Sequence, residues 1–137
     1  MKLYEVPLEG KHIKKNTMNK YVALVACLLL SACQYLPFPQ LTSTTTIGGN
    51  NAFLLGNNPH GSFTVSLKNL AETDIKIWRC PIDGGQHSPV QVKPNEQISV
   101  RVEKNTALRI ENASAKAVDV LLKVKGDTGL SMGYQKP

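Results

Sequence analysis

The 137-residue sequence lacks an apolar run long enough to cross a bilayer. Its longest, Tyr21 to Cys33, has thirteen residues and is followed at once by Pro37 and Pro39, whereas a spanning helix needs roughly 20. Beyond that run, no segment of useful length repeats apolar residues at three- and four-residue spacing, which argues against a helical domain. Basic residues are scattered, with no run that could track a phosphate backbone, so nucleic acid is not an expected partner. There is no phosphate-binding glycine loop, no nucleophile elbow and no pair of carboxylates flanking a plausible cleft. Internal sequence repeats are absent as well.

What is present begins with an address. Lys20 stands before the unbroken apolar stretch Tyr21 to Leu30, and the small residues Ser31 and Ala32 precede Cys33. Charged, apolar and small residues in that order make a secretory signal peptide, whose apolar part runs about 7–15 residues. The tetrapeptide Leu30-Ser31-Ala32-Cys33 resembles the lipobox of bacterial lipoproteins. The resemblance implies cleavage between Ala32 and Cys33, a diacylglyceryl group on the Cys33 thiol and a palmitate-type acyl chain on the new amino terminus. Two or more chains anchor stably, at about 0.8 kcal/mol per buried methylene, where one binds only marginally. Gln34 occupies the position where an aspartate would imply inner-membrane retention, so the outer membrane of a Gram-negative bacterium is the expected address. An ordinary cleaved signal with a coincidental cysteine is the alternative. Residues 1–17 are polar and unlike a leader, so Met18 is the more natural start, with a long n-region as the other possibility.

Cleavage before Cys33 would divide the chain into a leader (1–32), a lipidated cysteine with a flexible tether (33–60) and a domain (61–137). The formal charge of +6 then shrinks, because the leader's five lysines and two glutamates remove half of it. Cys27 departs with the leader and Cys33 carries lipid, which leaves Cys80 without a disulfide partner. The tether assignment rests on prolines, a threonine-serine run and paired glycines between Gln34 and Asn51, with one short apolar patch, Ala52 to Leu55, before a turn.

After Gly61 the pattern alternates. Apolar residues at 63, 65, 67, 75, 77, 90, 92, 98, 100, 102, 108, 110, 118, 120, 122 and 124 oppose polar ones, and turn residues separate the groups. Strand side chains alternate between faces, so each segment has one face to bury. The expected fold is all-β, a small antiparallel β-sandwich or open barrel of six or seven strands.

The richest cluster of chemistry is Cys80 to Ser88, a hairpin connection holding Cys80, Asp83 and His87. Structural zinc usually takes four ligands in paired spacings, and a cysteine nucleophile needs a thiolate and an oxyanion hole. Neither pattern is complete, so neither a metal nor another cofactor is expected, and the solvated glycine-rich turn is the preferred reading. Trp78 alternates with Lys76 onto the face opposite Ile75 and Ile77, where an indole can stack on sugars or rings. The alternative is that Trp78 is covered within the protein. His60, between Pro59 and Gly61, is expected to be exposed, and Asn112-Ala113-Ser114 matches a glycosylation acceptor by chance. The sequence therefore points to a non-enzymatic, lipid-anchored envelope protein that binds an envelope protein or polysaccharide. A structural subunit of an envelope assembly is the alternative, and an enzyme using the Cys80–His87 loop a distant third.

Overall fold

The computed structural model describes Tyr21, Val22, Val25 and residues 38–136. The cleavage and lipidation positions Ala32 and Cys33 lie outside the described residues. Among those described, nine strands form two antiparallel sheets: β1 (Gln40–Ile47), β2 (Asn51–Leu55), β3 (Phe63–Asn69), β4 (Ile75–Pro81), β5 (Val90–Val92), β6 (Gln97–Val102), β7 (Thr106–Asn112), β8 (Val118–Gly126) and β9 (Met132–Gln135). One sheet has the order β1-β8-β3-β6 and the other β5-β4-β7-β2-β9. The fold is a β-sandwich, and consecutive strands repeatedly switch sheets.

Alternation sets the core. The inner faces meet in one cluster that includes Phe63, Val65 and Leu67 from one sheet and Ile75, Ile77, Leu108 and Ile110 from the other. Of the sixteen alternating apolar positions, thirteen are buried; Val90, Ile98 and Val100 are not. Burying such a side chain fully stabilises by roughly 1.5–3 kcal/mol.

The expected tether is largely folded. Residues 40–47 pair along their whole length with β8, from Gln40 opposite Lys125 to Ile47 opposite Val118. Residues 51–55 lie between β7 and β9 and add Ala52, Phe53 and Leu55 to the core. The polarity of Thr42 to Thr46 hid a strand because threonine, branched at Cβ, suits the pleated surface as well as valine does. The domain therefore starts near Phe38, not Gly61.

Two buried asparagines, Asn69 and Asn112, end β3 and β7, and each opens a five-residue crossing to the other sheet. The same device closes both loops. Asn69 accepts from the Ala71 amide at 2.9 Å and donates to the Thr73 carbonyl at 2.8 Å. Asn112 accepts from the Ser114 amide at 3.0 Å and donates to the Lys116 carbonyl at 2.7 Å. The crossings adjoin, with the Leu70 amide donating to the Asp119 carbonyl at 3.0 Å. Asn112 is fully buried, so its amide cannot serve as a glycan acceptor.

His60 is buried rather than exposed. Its ring packs 5.2 Å from that of Phe63, and its nitrogens face the carbonyls of Gly61 and Thr106. Gly56, at φ +80°, admits the ring: a Cβ there would stand 3.0 Å from Nε2. Nearby, Asp127 accepts from the amides of Gly61 at 2.6 Å and Gly129 at 2.8 Å. These bonds hold its carboxyl below the usual carboxylate range. A depressed folded-state pKa contributes stability above the unfolded value near 3.8, and that contribution is lost as pH falls through the folded value. Asp127→Asn is expected to melt below the wild type at neutral pH and to converge with it in acid. A constant gap from neutral to strongly acidic pH would rule this out.

Candidate functional site

The β4–β5 hairpin carries every side chain singled out around position 80. Its strands pair through Ile75 opposite Val92 and Ile77 opposite Val90, and the connection folds back so that the His87 amide donates to the Arg79 carbonyl at 3.0 Å. Gly84 and Gly85 supply the left-handed backbone that this turn needs, at φ +112° and +89°. Asp83 and His87 are exposed, whereas Cys80 is half-buried on the outer face opposite Ala107. Burial pushes the Cys80 thiol up, and Arg109 only partly offsets this. That is the opposite of what a thiolate nucleophile requires. Among the described residues, no three His, Cys, Asp or Glu side chains converge to hold a metal ion.

Trp78 lies on the outer face, as alternation implies, but it is half-buried and has a partner. Arg109 is directly opposite in β7, and its guanidinium carbon sits 5.7 Å from the indole centroid. Arg109 also pairs with Glu111 at 3.2 Å, while Lys76 stands exposed opposite Glu111. Cation–π contact and ion pair together fix the Arg109 head over the ring, so one indole face is already occupied. Sequence reasoning could not find Arg109 because the β4–β7 register is a long-range property.

A concave surface lies beside this hairpin, between the free edge of β6 and β4–β5. It is a groove of about 270 Å³ floored by Ile77, Leu108, Val90, Ile98 and Val100, with Arg79 and Arg101 on its walls. Val90, Ile98 and Val100 are the three patterned core residues that escape full burial, and all three meet here. The gap has a simple origin. Strand β5 is only three residues long, and β6 ends its sheet, so no strand among the described residues closes the sandwich on this side. Arg79 has no ion-pair partner among the described residues, and Arg101 pairs with Glu103 at 3.4 Å on an exposed surface.

No protein-family model matches the chain, and no curated protein matches its sequence. Solved structures do resemble it. The capsular polysaccharide assembling protein CapF of Staphylococcus aureus superposes with a TM-score of 0.50 at 13% identity, over 66% of this chain. The chain spans 24% of that protein's length. The Yersinia pseudotuberculosis-derived mitogen gives a TM-score of 0.42 at 14% identity, covering 69% of this chain and 96% of the mitogen. At such identity the CapF likeness concerns the fold alone.

Proposed function

We propose that this chain is a non-enzymatic binding module of the bacterial envelope, anchored through lipid on Cys33. Its groove between β6 and the β4–β5 hairpin receives an extended segment of an envelope protein. One observation carries the binding reading: three residues patterned for the core remain open in a single groove along an unpaired strand edge. A free edge offers backbone donors and acceptors to an added strand, and pockets for its alternate side chains give specificity. The segment suited to it has apolar residues at every second position and an acidic residue to meet Arg79.

The anchor reading rests on the lipobox resemblance. With β1 beginning at Gln40, the link from Cys33 spans seven residue steps, at most about 25 Å when fully extended. A domain on so short a link would work next to the membrane surface.

Two measurements test the proposal separately. Intact mass spectrometry of membrane-extracted protein is expected to show a chain beginning at acylated Cys33, and an unmodified chain retaining Met18 or Met1 would remove the anchor. Photocross-linking in cells from position 90, which is exposed, is expected to give a discrete protein adduct that position 42 on the other sheet does not give. Equal adducts from both positions, or none from position 90, would remove the groove from the account.

A further inference from the structure

The outer face of the β1-β8-β3-β6 sheet carries a second, independent feature. Strand register arranges Lys125 and Arg101 in one row with Thr64 between them, Lys123 in the next row beside Ser66, and Lys68 in the third beside Leu121. Same-strand neighbours on one face stand about 7 Å apart, and positions two strands apart about 10 Å. Hydroxyl and amide side chains from β1, β3 and β6 occupy the positions between, and Gln97 donates to the Ser66 hydroxyl at 2.9 Å. A shallow trough of about 480 Å³ runs across this lattice, with Lys123 and Lys125 on its rim.

Charge on this face is one-sided. Among the described residues two carboxylates adjoin it: Asp119, at a corner, accepts from the Thr46 hydroxyl at 2.6 Å, and Glu103, just beyond β6, pairs with Arg101 at 3.4 Å. The three lysines have no ion pair among the described residues. The outer face of the other sheet has less free charge, because there Arg109 is neutralised by Glu111 and Lys76 stands opposite that same carboxylate. Uncompensated, regularly spaced cations attract a polyanion and release its counterions. Between them, side chains that both donate and accept hydrogen bonds match the hydroxyls of a sugar chain.

We propose that the outer face of the β1-β8-β3-β6 sheet binds an anionic polysaccharide laid across its lysines. A glycan fits better than a lipid surface for a stated reason. Within the strands the large apolar side chain on this face is Leu121, which is half-buried, and the exposed Phe38 and Leu70 lie beyond the ends of β1 and β3, so the lattice itself has little to insert into a bilayer. The hydroxyl lattice would also be idle against headgroups that need only charge.

The test uses the full chain in detergent, passed over immobilised polygalacturonate and dextran sulfate, with neutral dextran as control. Retention on both polyanions is expected, weakening as salt rises, with none on neutral dextran. Lys123→Glu combined with Lys125→Glu is expected to weaken retention roughly tenfold or more, since two attractive charges become repulsive. Both residues are exposed on strand β8, and the milder Lys→Gln pair should give a smaller loss in the same direction. Lys76→Glu on the opposite sheet should change nothing. Absence of retention on both polyanions at low salt would overturn the proposal, as would retention that survives charge reversal. Binding only to vesicles containing phosphatidylglycerol would overturn it too, by making this face a lipid contact.

Discussion

Replacing Asn112 with alanine is expected to cost about 3–5 kcal/mol of unfolding free energy, because each buried polar group left unpaired costs roughly 1–3 kcal/mol. The side chain is fully buried and makes five hydrogen bonds. It donates to the carbonyls of Ile47 and Gly48, both at 3.1 Å, and of Lys116 at 2.7 Å, and it accepts from the Ser114 amide and hydroxyl. It thus ties the end of β1 to the crossing between β7 and β8, and alanine would strand acceptors in both. For a domain of this size the melting temperature should fall by roughly 12–25 °C. Aspartate should be no better, since it keeps the acceptor but loses the donor and buries a charge. Lys116→Ala is the control. Only the backbone of Lys116 joins the network, so its effect should stay within about 0.5 kcal/mol. Thermal and urea unfolding by circular dichroism measure all three. A loss under about 1 kcal/mol for Asn112→Ala would show that water or relaxation replaces the network.

Gly49→Ala is expected to be nearly as damaging, by a different route. A Cβ at Gly49 would stand 2.1 Å from the Ala115 carbonyl oxygen and 2.6 Å from its carbon. Those atoms belong to backbone held by the same crossing, where the Asn50 amide donates to the Ser114 carbonyl at 2.9 Å. Relief requires the β1–β2 turn and the crossing to separate, at about 2–4 kcal/mol, the upper range for overpacking. Gly133→Ala is the matched comparison, because its Cβ would meet nothing within 4 Å. It should be neutral or slightly stabilising, as fewer unfolded conformers remain. Equal effects at the two glycines would mean that the close approach at Gly49 is not what makes glycine necessary there.

Much of the sandwich was legible from period-two alternation, since from β3 onwards most patterned residues are inside. Strand β1 was not, because its inward row is Leu41, Ser43, Thr45 and Ile47, half of it hydroxyl-bearing. An edge strand tolerates this, as the rim of a core needs less apolar surface than its centre. The turns at Asn69 and Asn112 are legible in the sequence but their likeness is not, because the two segments share hydrogen-bond geometry and spacing more than residue identity.

The groove was half legible. Its apolar residues are in the pattern, but alternation says which face a residue takes and not whether an opposing strand covers it. Trp78 was correctly placed on an outer face, while the arginine above it depends on β4–β7 register, which no local window contains.

The full-length pairing of β1 with β8 also bears on force. A chain held at its amino-terminal side and pulled through a partner on the far part of the domain would draw β1 along its own axis. The eight facing pairs from Gln40–Lys125 to Ile47–Val118 would then be loaded together, in shear, instead of parting one after another from an end. Such a ladder yields only when several bonds fail at once, so the strand that leads into the domain is also its mechanical clamp.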